Sequence, residues 1–72
     1  MTAESPVQLI LRAADHLTAH TTPEHRVVDQ ATARLMRSVA AHWQPTTPPW
    51  TDQAAAIDLA RLILGEPRPE QP

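Results

Sequence analysis

The chain has 72 residues, one glycine, eight prolines, no cysteine, and a net charge of −2 with its histidines neutral. So short a chain makes one small domain, near the size at which a core barely offsets conformational entropy, and no disulfide or thiolate–metal site can staple it. The charge gives no general pull toward nucleic acid, one glycine is too few for the turns of an all-β domain, and no apolar run approaches the ~20 residues of a membrane span.

Three helices are predicted, at about 5–20, 22–43 and 51–64, giving an all-α domain over 1–66. The N-terminus "MTAESPVQ" has no basic region leading into an apolar core, so no signal peptide is expected and the chain is read as cytoplasmic. In the first helix Ser5 is the N-cap, Pro6 the first helical residue and Gln8 the return half of a capping box. At 100° per residue, Val7, Ile10, Leu11, Ala14 and Leu17 form its main stripe. Leu9, Ala13, His16 and His20 form a second stripe roughly 110° around.

The second helix opens on "TTPEH", with Thr22 as N-cap, Pro23 in first position and Glu24 complementing the dipole. Val28, Ala31, Thr32, Leu35, Met36, Val39 and Trp43 face one way, and Arg26, Gln30, Arg34 and Arg37 face the other. Prolines 45, 48 and 49 stop it. The third helix starts at Thr51 or Asp52 and ends before Gly65, which suits a left-handed cap. Ile57, Leu59, Ala60, Leu62, Ile63 and Leu64 surround most of it, leaving Asp58 and Arg61 on one polar strip. Residues 67–72, rich in proline, read as a disordered tail.

Three places invite a chemical reading. His16 and His20, at i and i+4, could share a metal ion with His25 beyond the turn. No glutamate stands between them as the general base of a zinc hydrolase helix would. The plainer reading is a helix end and a turn with histidines around it, and no metal or other cofactor is expected. Arg26, Gln30, Arg34 and Arg37 could meet phosphates from the second helix of a helix–turn–helix. The plainer reading there is a solvated face with ion pairs such as Arg26–Asp29. Trp43 and Trp50 bracket "QPTTPP", which reads either as a rigid ligand loop or as two tryptophans closing the bottom of the core; the second is preferred.

Catalysis has almost no foothold: there is no cysteine, tyrosine, glycine-rich phosphate loop or nucleophile elbow. The chain is therefore read as a non-enzyme. An apolar circumference as wide as that of the third helix needs cover on more than one side, which points to a second copy, a dimer being favoured, or to a protein partner. The expected interface is Leu9, Ala13, Leu59, Leu62 and Ile63. The expected function is a small protein-interaction or regulatory accessory module. The alternative is a dimeric helix–turn–helix-like DNA-binding regulator using Arg26, Gln30, Arg34 and Arg37.

The segments "LILRAADHL", "LMRSVAAHW" and "AIDLARLILGE" (residues 56–66) resemble those of short helical proteins of actinobacteria and their phages. "TTPEHRV" stands where many of those chains have a "TPGPW" turn. The resemblance implies a small, soluble, helical accessory protein and carries no activity, so it transfers no functional residue.

Overall fold

A computed structural model describes residues 4–46 and 49–65 of the chain; the expected disorder of 67–72 lies outside them. Among the described residues there are three helices and no strand: α1 (Pro6–Ala19), α2 (Arg26–Ala41) and α3 (Thr51–Leu64).

The start of α1 follows from its local chemistry. Gln8 N–H donates to Ser5 Oγ and Ser5 N–H to Gln8 Oε1, both at 3.2 Å, so two of the helix's orphan donors are satisfied reciprocally. The start of α2 is different from the expected one. Pro23–His25 form a separate turn, closed by His25 N–H donating to Thr22 O at 3.1 Å. The helical ladder begins with Asp29 N–H donating to His25 O at 2.8 Å, and no side chain caps the end. The hydroxyl of Thr21 meets this entry from outside, donating to the Asp29 carboxylate. At the far end α3 stops at Gly65, whose φ of 71° is the left-handed conformation a Cβ disfavours.

Helix α1 is the hub. Both α2 and α3 pack along it, while they touch each other sparingly. The buried core is Leu9, Ile10, Ala13 and Ala14 from α1, Ala33, Met36 and Ala40 from α2, and Ala56 and Ala60 from α3. Six of these nine are alanine, which lets helix backbones approach closely but buries little apolar area per residue. Ile10 and Met36 are the largest fully buried side chains.

This arrangement corrects two expected faces. Leu9 and Ala13 of the second stripe of α1 join Ile10 and Ala14 of the first in the core, because α1 is covered from two sides, while Leu11, His16 and His20 stay exposed. On α2 the buried line is Ala33, Met36 and Ala40, so Val28 and Leu35 stay 65% and 63% exposed. The alanines bring α2 close to α1 and rotate the larger residues to its flank. Trp43 packs against the core, but Trp50 is 53% exposed and does not close its bottom. No helix among the described residues is long and apolar enough to cross a membrane.

Candidate interaction surface

The splay between α2 and α3 leaves an open groove. One wall is Leu35, Met36 and Val39; the other is Ala55, Ala56 and Leu59, with Asp52 at its foot. The groove encloses about 250 Å³ and has almost no polar lining apart from Asp52. It is continuous with a second depression lined by Ser38, His42, Trp50 and Gln53, which shares Leu35, Val39 and Asp52.

The foot of this groove is pinned by Gln53, the one buried polar residue among those described, at 2% exposure. Its Nε2 donates to Gln44 O at 3.2 Å, and its Oε1 accepts from Trp50 N–H at 3.2 Å. Its own N–H donates to Asp52 Oδ1 at 3.0 Å. A buried amide is tolerated only when its donors and acceptor find partners, and here it ties the start of α3 to the segment leaving α2. The helices are thus tied at this end, and elsewhere they touch each other sparingly.

On the groove side of α3, helical spacing puts Ala55, Leu59 and Leu62 in one line at i, i+4 and i+7. Leu62 is 68% exposed. On α2 the corresponding line is Val28, Leu35 and Val39. Together they make an apolar strip in which Val28, Leu35 and Leu62 are left exposed among the described residues.

Of the five residues expected at an interface, Leu62 lies open on this strip, and Leu59 and Ile63 are half-buried. Leu9 and Ala13 are 7% and 0% exposed, so they are core residues of the monomer and offer nothing to a partner. Val28 and Leu35 of α2 are exposed instead. The sequence signal for both was present, since they share one apolar face of α2.

The four polar residues of α2 remain on one side. Gln30, Arg34 and Arg37 line a shallow depression of about 360 Å³ with Thr18 of α1, and Arg26 is exposed one turn away. Arg37 is engaged with Asp15 at 2.9 Å, an ion pair joining α2 to α1. The Asp29 carboxylate takes the Thr21 hydroxyl.

His16 and His20 stand with ring centroids 4.4 Å apart and both are exposed, as is His25. Among the described residues no group of three or more histidine or carboxylate side chains is arranged to hold a metal ion. Comparison with known proteins returned no matching family model, no matching curated protein and no matching solved structure.

Proposed function

We propose that this chain is a small non-catalytic interaction module, an accessory or regulatory component of the cytoplasm that self-associates through α3 and the facing flank of α2. The observation that carries this reading is the uncovered apolar strip. Leu62, Leu35 and Val28 are each more than three-fifths exposed; Leu35 lines the groove, and helical spacing sets Val28 in line with Leu35 on α2 and Leu62 in line with Leu59 on α3. Scattered exposed leucines are ordinary on any protein, whereas a contiguous apolar patch marks a docking surface. The thin core supports the same reading, because a domain of this size gains from burying further apolar area against another chain.

Leu62→Asp tests it. An aspartate there places a charge inside the proposed contact but stays in solvent in the monomer. The expected result is loss of the associated species in light scattering, with the helical circular dichroism of the separated chain retained. If the variant keeps the wild-type mass, α3 is not the contact.

A further inference from the structure

We propose that His16 and His20 form a two-imidazole site for a late first-row divalent metal ion that takes its ligands at right angles, Ni²⁺ or Cu²⁺. The site is separate from the proposed contact surface, since neither ring lines the groove or the depression beside it.

The backbone sets the spacing of the pair. His16 lies in the last turn of α1 and His20 is its C-cap, and His20 N–H donates to His16 O at 3.0 Å. That is the i→i−4 bond of a helix, so the two side chains leave one face a single turn apart. Both residues are exposed, so an ion reaches them without opening the core.

Spacing alone would fit many helix ends; the distance between the rings is the sharper observation. The centroids are 4.4 Å apart and the planes are tilted by 40°. With a metal–nitrogen bond of about 2.0–2.1 Å, the centre of a ligating imidazole lies about 3.2 Å from the metal. Two such rings at right angles around one ion have centres about 4.5 Å apart, and at the tetrahedral angle about 5.2 Å. The observed separation matches the right angle, which relates neighbouring positions in square-planar and octahedral coordination. Copper(II) and nickel(II) suit such geometry and bind imidazole, whereas structural zinc sites are tetrahedral. The tilt fits as well, because a ring can turn about its metal–nitrogen bond without moving its centre.

Two protein ligands leave the remaining positions to water, in keeping with an exposed site. Asp15 does not join them: it points about 100° away from His16 around the helix, and its carboxylate is engaged with Arg37 at 2.9 Å. Binding is linked to folding. The unfolded chain does not hold the two rings together, so an ion that bridges them favours the folded state. It secures the last turn of α1, the helix along which both others pack.

Thermal unfolding of the untagged chain, followed by helical circular dichroism at one fixed protein concentration, tests the site with Ni²⁺ as the probe. His16→Gln and His20→Gln are compared with wild type. Each variant keeps three of the chain's four histidines, so weak binding at scattered imidazoles would persist in both. Ni²⁺ is expected to raise the wild-type midpoint by several degrees, excess chelator to reverse the rise, and neither variant to show it. A wild-type midpoint that Ni²⁺ leaves unchanged, or a rise of equal size in the variants, overturns the site and leaves the two rings as a stacked contact between turns. Cu²⁺ at a small fraction of the protein concentration gives a second readout. It is expected to broaden the imidazole NMR signals of His16 and His20 before those of His25 and His42, and equal broadening of all four contradicts the site.

Discussion

Glu4 precedes α1 and is held by Arg12, whose Nε and Nη2 donate to its two carboxylate oxygens at 2.8 and 2.7 Å. The hydrogen bonds from Arg12 hold the Glu4 carboxyl below its ordinary value; desolvation opposes them, and the Arg12 charge adds to the lowering. Because the folded value is lowered, the pair favours the fold above the ordinary glutamate range. It ceases to do so as pH falls through the depressed value. Replacing Arg12 with Gln is expected to return the Glu4 titration, followed by carboxyl NMR, to the ordinary range. High salt should shrink the wild-type depression, because the group is exposed. An unchanged midpoint in the variant would show that Arg12 is not the cause. Gly65 offers a second test at this scale. A Cβ there meets nothing within 4 Å, so any penalty belongs to the backbone alone. Gly65→Ala is expected to cost about 1 kcal/mol, read as a lower midpoint in thermal unfolding, and an unchanged midpoint would mean that the left-handed cap is not maintained in solution.

Among the helices, what was legible in the sequence was what is decided locally. Ser5, Pro6 and Gln8 announce α1, and Gly65 ends α3, because caps depend on residues within a turn of one another. The entry to α2 was less legible. "TTPEH" has the residues of an N-cap, yet Pro23–His25 settle as a turn of their own before the helix begins at Arg26. Buried faces were harder still. An apolar stripe shows that something will cover a helix but not which helix becomes the hub. Leu9 and Ala13 went inside because α1 is enclosed by both neighbours, and Leu35 came out because alanines 33 and 40 set the close approach. The seating of α3 can be tested at the same scale. Ala60 is fully buried, and Ala60→Leu adds three carbons where the helix meets its neighbours. Overpacking of this kind costs about 1–3 kcal/mol, and denaturant unfolding should show a lower midpoint. A variant as stable as wild type would mean that α3 sits less tightly than the burial of Ala60 requires.

For the whole molecule, one thin core and one bare strip have the same origin. Alanine-rich contacts let three helices meet closely, but Val28 and Leu35 of α2 and Leu62 of α3 are left beside the core instead of within it. Burying one such side chain is worth about 1.5–3 kcal/mol, a large share of what a small domain has in total. Closing the strip against a second copy therefore joins stability to concentration, and the unfolding midpoint should rise with protein concentration as association does. The polar side of α2 would remain on the outside of the assembly.

The most direct measurement is molar mass by light scattering across a dilution series of the purified chain. The account predicts a species at twice the 8.0 kDa of one chain that falls toward 8.0 kDa as the sample is diluted through the dissociation range. A mass of 8.0 kDa at every concentration would contradict it, and would mean that the strip formed by Val28, Leu35 and Leu62 stays bare in the isolated protein.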